Sequence, residues 1–164
     1  MLILVFRVDH YPGEDEKLRA SSISRRRGGN APNLIEVLQE LLESTEMEQM
    51  SLKIVAVLPA RLSAGTKQVE ESFTSGVDLQ HCLCREAFGE PASSYIIRSR
   101  SSGSRTIVNY NDLPEMTAEE FFQIANNIDP KSSWFHFEAR KIFFCCIYLY
   151  CFFLTYVYTF SDFF

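Results

Sequence analysis

Two consecutive glycines, Gly28 and Gly29, stand directly before the most regular helical pattern in this sequence. Apolar residues recur at positions 34, 37, 38, 41 and 42, and this spacing predicts a helix over residues 33–43. Neither glycine carries a Cβ, so the backbone can turn sharply there and leaves open space beside it. The segment is therefore predicted to be a tight turn that leads directly into a helix.

Two asparagines at this turn, Asn30 and Asn33, add amide donors and acceptors at the predicted helix start. The first N–H groups of a helix lack partners within the helix, so polar groups collect there. This combination suits a ligand rich in hydroxyl groups, such as a sugar. Two alternatives stay open: the glycine pair is an ordinary loop, or Asn33 only caps the helix. The preceding basic run, residues 25–27, is interpreted as a solvated charged segment.

The rest of the chain alternates between short β-rich segments and helical patterns, which predicts an α/β sheet. Residues 17–24 are read as extended chain. Thr117 and Glu120 form a capping box at the start of one predicted helix. The predicted strands are residues 1–8, 53–58, 94–98, 105–110 and 134–137, and the other predicted helices are residues 66–75 and 117–128.

Composition excludes several classes of protein. The 164 residues allow one domain, and the net charge of −5 argues against broad nucleic-acid binding. The five cysteines include no pair separated by two intervening residues and have no histidine at zinc-finger spacing, so no metal site is predicted. Their odd number favours a reducing compartment, and we expect a cytoplasmic protein.

The composition changes after Arg140. Residues 142–160 carry no charge and consist almost wholly of aromatic, aliphatic and cysteine side chains. A length close to ~20 residues could span a bilayer as a helix. The alternative is that this tail is not an evolved segment, since these residue types are encoded by T-rich codons of the kind read past a splice boundary. We favour the second interpretation and divide the chain into a domain of residues 1–140 and a hydrophobic tail of residues 141–164, helical if ordered.

Four stretches in the same order and spacing give the chain a resemblance to the PfkB (ribokinase-like) carbohydrate kinases, and most nearly to the ketohexokinases. The resemblance covers residues 8–140, which correspond to the N-terminal half of such a kinase. It implies a partial ribokinase-like sheet with β lid strands. The four stretches are residues 8–15, 26–33, 102–107 and 134–140.

The resemblance also implies roles for particular residues. Sugar hydroxyls would be contacted by Gly28, Gly29, Asn30 and Asn33. Arg105 would lie near the sugar or the transferring phosphate, and Asp15 would reach into the sugar site of a second subunit. Glu138 and Arg140 would lie near the phosphates and the metal, although they could instead form a structural ion pair.

Complete members of this family use ATP and Mg²⁺ to phosphorylate a hydroxyl of a sugar, here a ketose such as fructose. In this chain Ile3 stands where the family places an aspartate, and the Gly-Ala-Gly-Asp segment with the catalytic base does not occur. We therefore assign no catalytic residue and expect this chain to bind neither ATP nor metal and to be inactive. Two alternatives remain, a non-catalytic sugar-binding or dimerising fragment and a single-pass membrane protein.

Overall fold

A computed structural model of the chain describes residues 1–45, 50–73, 76–129 and 133–138. Arg140 and the hydrophobic tail of residues 141–164 lie outside the described residues. Within the described ranges, no helix is both long enough and apolar enough to cross a membrane. The elements in chain order are β1 (Leu2–Val8), β2 (Ser22–Arg27), α1 (Asn30–Ser44), β3 (Leu52–Lys53), β4 (Val57–Pro59), α2 (Ala64–Glu71), β5 (Val77–Asp78), β6 (Leu83–Arg85), β7 (Ser93–Ser99), β8 (Arg105–Tyr110) and α3 (Ala118–Ala125).

The largest sheet has four strands in the order β2-β1-β7-β8. Strands β1 and β7 pair in parallel, while β2 and β8 join them antiparallel on the two outer sides. The apolar strand β1 occupies an inner position, whereas every residue of the edge strand β8 is exposed. Gly103, with φ of +68°, lies in the turn that joins β7 to β8, where a positive φ suits glycine. The apolar strand β1 is therefore hydrogen-bonded to a neighbouring strand along both of its edges.

The main hydrophobic core lies between this sheet, helix α2 and two short parallel strand pairs, β3 with β5 and β4 with β6. Helix α2 begins after Ser63, whose hydroxyl accepts a hydrogen bond from the N–H of Thr66 at 3.1 Å. Thr66 is fully buried and donates its hydroxyl to the carbonyl of Pro59 at 3.2 Å. The buried members of the core are Leu2, Ile54, Leu58, Val69 and Cys82.

Most of the predicted elements are confirmed. Strands are present over residues 1–8, 94–98 and 105–110, with ends that differ by a residue at most. Helices α1, α2 and α3 overlap the predicted ranges 33–43, 66–75 and 117–128. Their bounds differ from the prediction, since α1 and α2 begin earlier and α2 and α3 end earlier, at Glu71 and Ala125. Helix α3 begins with the predicted capping box, in which Thr117 and Glu120 exchange hydrogen bonds of 3.2 and 2.9 Å. The α/β fold class is therefore correct.

Two predicted strands are wrong. The segment 53–58 is divided into β3 and β4, which pair with different partners, and the residues between them leave the strand conformation. Residues 134–137 lie in a described stretch, 133–138, that forms no strand. In this stretch Phe137 instead packs its ring against Phe121, with centroids 5.6 Å apart. A strand needs a neighbour that completes its hydrogen-bond ladder, and aromatic content alone does not supply one.

The chain divides into two compact units, Met1–Glu115 and Met116–Phe164. The first holds the four-stranded sheet, the core and helices α1 and α2. The second holds α3 and the aromatic stretch that follows it, where Phe135 and Phe137 stack with centroids 6.3 Å apart. The predicted sugar- and phosphate-binding residues from Asp15 to Arg105 all lie in the first unit.

Candidate functional site

The two glycines of the predicted turn are required for different reasons. Gly28 is buried, and its N–H donates to the carbonyl of Met1 at 2.9 Å. A Cβ on Gly28 would overlap the side chain of Ile3, so this position excludes any larger residue unless that side chain moves. Gly29 has φ of +110°, a conformation that other residues rarely adopt. The turn therefore needs glycine at position 28 because Ile3 lies close to it, and at position 29 because of the positive φ.

Helix α1 begins earlier than the sequence pattern predicts. Its N-cap is Gly29 and its first residue is Asn30, while the N–H of Asn33 donates to the carbonyl of Gly29 at 3.0 Å. Asn33 is thus an internal residue of the first turn, and the alternative in which it caps the helix is wrong. Asn30 and Asn33 are both exposed and are three residues apart, so they are neighbours on one helix face. The structure brings these two amides and the glycine turn together.

Arg27 supports this turn from beneath. Its side chain is only 8% exposed, and it donates to the carbonyl of Pro32 at 3.0 Å and to the carboxylate of Glu36 at 3.2 Å. The guanidinium also stacks on the ring of Phe73, 4.0 Å from its centroid. The interpretation of residues 25–27 as a solvated run is therefore wrong at Arg27, because its charge is taken up by α1 and an aromatic face. Arg25 and Arg26 are exposed as expected.

One face of the four-stranded sheet extends away from this turn. Alternate residues of a strand share a face, so the residues that share a face with Ile3 follow from the register of the sheet. We call this surface the Ile3 face. On β1, β7 and β8 this face consists of three residues from each strand: Ile3, Val5 and Arg7 on β1, Ser94, Ile96 and Arg98 on β7, and Asn109, Ile107 and Arg105 on β8.

Arg105 lies on the Ile3 face, but at the end opposite the glycine turn. It pairs with Arg98, which in turn pairs with Arg7, whereas Gly28 lies beside Ile3. The four residue-to-residue steps from Ile3 to Arg7 correspond to about 13 Å of strand. Arg105 therefore shares a surface with the glycine turn without contacting it.

Sequence reasoning missed a polar pair at the glycine-turn end of this face. Ser94 is 5% exposed and donates its hydroxyl to the side-chain oxygen of Asn109 at 2.7 Å. Both residues occupy the same row as Ile3 on the shared face. Nothing in the local pattern around either residue identifies them, because their meeting depends on the register of β7 and β8.

Asp15 lies in the connection between β1 and β2 and is exposed. Its φ of 58° is left-handed, an uncommon conformation that aspartate tolerates better than most residues. The neighbouring Glu16 organises this turn by accepting hydrogen bonds from the N–H of Gly13 at 2.9 Å and from His10 at 2.8 Å. These bonds, the one from Gly13 first, lower the pKa of Glu16. The reach of Asp15 into a second subunit stays a prediction.

Glu138 lies in the other unit, and its carboxylate is 3.2 Å from Nε2 of His136. Its predicted partner Arg140 is outside the described residues, so their role near phosphates and metal stays a prediction. Among the residues that the structure describes, no group of three or more histidine, cysteine, aspartate or glutamate side chains is placed to hold a metal ion. Burial raises the pKa of Cys82 to about 11, so its thiol remains protonated at neutral pH.

No protein family model matches the sequence. Among solved structures, this chain is similar to the ribokinase of Arabidopsis thaliana complexed with ribose and ATP, with 18% identity over 77% of this chain and 39% of that protein and a TM-score of 0.55. It is also similar to a nucleoside kinase of Methanocaldococcus jannaschii, an archaeal member of the ribokinase family, with 13% identity over 66% of this chain and a TM-score of 0.50. The fold is ribokinase-like. The chain spans between 33% and 39% of the length of these two proteins.

Proposed function

We propose that this chain is the sugar-binding part of a PfkB-type carbohydrate kinase. The observation that carries the proposal is the turn at Gly28 and Gly29, which brings the exposed amides of Asn30 and Asn33 onto one helix face. Backbone groups at a glycine turn and neutral amides together supply the donors and acceptors that sugar hydroxyls need. The ribokinase-like fold supports this proposal, and the Arabidopsis protein of that fold was crystallised with ribose and ATP.

Each group would have a distinct task. The glycines give a hydroxyl-bearing ring close access to the main chain, because no Cβ stands in its way. Asn30 and Asn33 would fix the orientation of the sugar by hydrogen bonds. Arg105, further along the Ile3 face, would take the anionic oxygens of a phosphate, to which a guanidinium fork is well matched. Asp15 would complete the site of a second copy.

The finer proposal is a ketohexokinase-like site for a ketose such as fructose, in a cytoplasmic protein whose complete relatives use ATP and Mg²⁺. Phosphoryl transfer needs a positioned base and a nucleotide with its metal. A positioned base contributes roughly 10²–10⁴-fold to such a reaction. The 164 residues contain no Gly-Ala-Gly-Asp segment, and Ile3 stands at the expected acidic position. We therefore expect this chain to bind a sugar without phosphorylating it.

A second candidate is a dimerising function through the lid strands. The edge strand β8 is exposed along its whole length, and Val108 is 58% exposed while Tyr110 is 44% exposed. An open edge with apolar side chains can pair with another strand. If this is the main function, the oligomeric state in solution will change with charged substitutions at Val108, while sugar binding will not depend on Asn33.

Sugar binding is tested by calorimetric titration of D-fructose and D-ribose into the full chain. Asn33→Ala should weaken binding about tenfold, since it removes hydrogen bonds to the ligand. The matched control is Glu40→Ala, which changes an exposed residue two turns along the same helix and should leave binding unchanged. Equal affinity in both variants would overturn the proposed site. A coupled assay of ATP turnover with the same sugars should match a blank without protein.

A further inference from the structure

Three arginines stand side by side across the four-stranded sheet. Arg7 on β1 pairs with Arg98 on β7, and Arg98 pairs with Arg105 on β8, so all three lie in one row of the Ile3 face. All three are exposed. Neighbouring strands are about 4.8 Å apart, so the three Cα atoms span only about 10 Å. We call this set the arginine row.

Among the residues that the structure describes, no carboxylate forms an ion pair with an arginine of this row. None of its three side chains takes part in an ion pair or a hydrogen bond there. The nearby Arg100 differs, because Asp9 lies 3.4 Å from its guanidinium. Like charges opposite one another on a sheet destabilise it. The chain as a whole is acidic, with a net charge of −5, so this concentration of positive charge runs against its composition.

We propose that the arginine row is a binding site for the phosphate group of a small molecule. A phosphate supplies several acceptor oxygens and about two negative charges, and guanidinium forks match it in shape as well as in charge. The fourth position of the row is Ser22 on β2, opposite Arg7, and its exposed hydroxyl could add a further donor. One phosphate or a short chain of phosphates fits the span of the row.

The neighbouring row limits what this site can hold. It consists of Val5, Ile96 and Ile107, with Ser24 of β2 opposite Val5, so no charged residue of this row extends the positive surface. A nucleic acid would need a longer basic track for its repeated phosphates. The resemblance to sugar kinases implies only Arg105 near a phosphate, and the register adds Arg7 and Arg98 as equal members of the site.

The test is calorimetric titration of inorganic phosphate into the full chain at constant ionic strength, without sugar or nucleotide. Arg98 is the central member, and Arg98→Gln should weaken binding about tenfold or more, because it removes a charge-assisted hydrogen bond. Arg98→Lys keeps the positive charge but lacks the guanidinium fork. Its phosphate affinity should therefore lie between that of the original chain and that of Arg98→Gln. The matched control is Arg25→Gln, which removes an equally exposed arginine from the opposite face of the sheet and should change affinity by less than about twofold.

Two results would overturn the proposal. One is unchanged phosphate affinity in Arg98→Gln, and the other is an equal loss in Arg25→Gln, which would indicate unspecific attraction. Melting curves of the three variants verify that they fold, which is expected because each substitution changes an exposed side chain. The phosphate could belong to a sugar phosphate or to a nucleotide, and titration of fructose 1-phosphate and of ATP distinguishes these two classes. The natural ligand belongs to the class that binds more tightly and loses more affinity in Arg98→Gln. Because inorganic phosphate is titrated alone, failure here leaves the sugar-binding proposal standing, and failure of the Asn33 test leaves this site standing.

Discussion

The two ends of the Ile3 face differ in how their polar groups are supported. At the glycine turn the polar groups are backbone and neutral amides. The charge that supports them belongs to Arg27, whose buried guanidinium contacts α1 through its two terminal nitrogens and stacks on Phe73. At the arginine row the charges themselves are exposed and stand next to each other without carboxylate partners among the described residues. The first end is stabilised by its own contacts, whereas the second is organised for a charge that the chain does not supply.

The strongest test of this contrast is to remove the buried support. Arg27→Ala should lower the free energy of unfolding by about 3 kcal/mol, because it removes two hydrogen bonds and a cation–π contact in a buried setting. Arg25→Ala, on the neighbouring exposed position, should change it by less than about 0.5 kcal/mol. Urea denaturation of both variants measures the difference. Similar values for the two would show that Arg27 does not support the turn.

A smaller effect is expected from filling the turn itself. Gly28→Ala places a Cβ against the side chain of Ile3 and should cost about 2 kcal/mol, a typical value for overpacking. The same change at Gly89 meets no atom within 4 Å and serves as the control. Thermal denaturation measures both, and Ile3→Ala in the Gly28→Ala background should recover part of the loss. If Ile3→Ala recovers none of the lost stability, the destabilisation by Gly28→Ala does not come from the contact with Ile3.

The sequence predicted one end of the face better than the other. The glycine turn is local, so its residues are adjacent in the chain and were identified together. The burial of Arg27 depends on Phe73, which is distant in sequence, and a run of three arginines by itself indicates exposure. The arginine row depends on the register of three strands, and a shift of one residue would move each arginine to the other face.

The strands that were predicted correctly share a feature that the failures lack. Strands β1, β7 and β8 each pair along their whole length within one sheet, so a continuous β-rich segment corresponds to one element. The apolar segment 53–58 changes partner part-way, from β5 to β6, and hydrophobic content does not mark that point. Residues 134–137 have strand-forming side chains and no partner strand among the described residues. Pairing, unlike propensity, is not encoded locally.

The arginine row should respond to substitution in the opposite direction from the glycine turn. Without phosphate, Arg98→Gln should raise the free energy of unfolding by about 0.5 kcal/mol, because it relieves repulsion from Arg7 and Arg105 across the strands. Added phosphate should stabilise the original chain more than the variant. Denaturation with and without phosphate measures both effects. If Arg98→Gln instead lowers the free energy of unfolding in phosphate-free buffer, the arginine row stabilises the fold and its charges do not repel one another appreciably.

The smallest expected effect lies in the β1–β2 connection, which carries Asp15. The pKa of Glu16 is lowered by the hydrogen bond from the N–H of Gly13 and, second, by His10. A carboxyl group with a lowered pKa stabilises the folded chain above its unfolded pKa, and this stabilisation is lost as the pH falls through the folded pKa. Carbon-detected NMR titration of the Glu16 carboxyl should therefore give a midpoint below 4.5, its ordinary value.

His10→Ala discriminates between the two causes of that shift. The variant removes the 2.8 Å contact to Glu16 but leaves the N–H of Gly13, so the midpoint should rise only part of the way toward the ordinary value. Full recovery would mean that the histidine, and not the backbone, holds the turn.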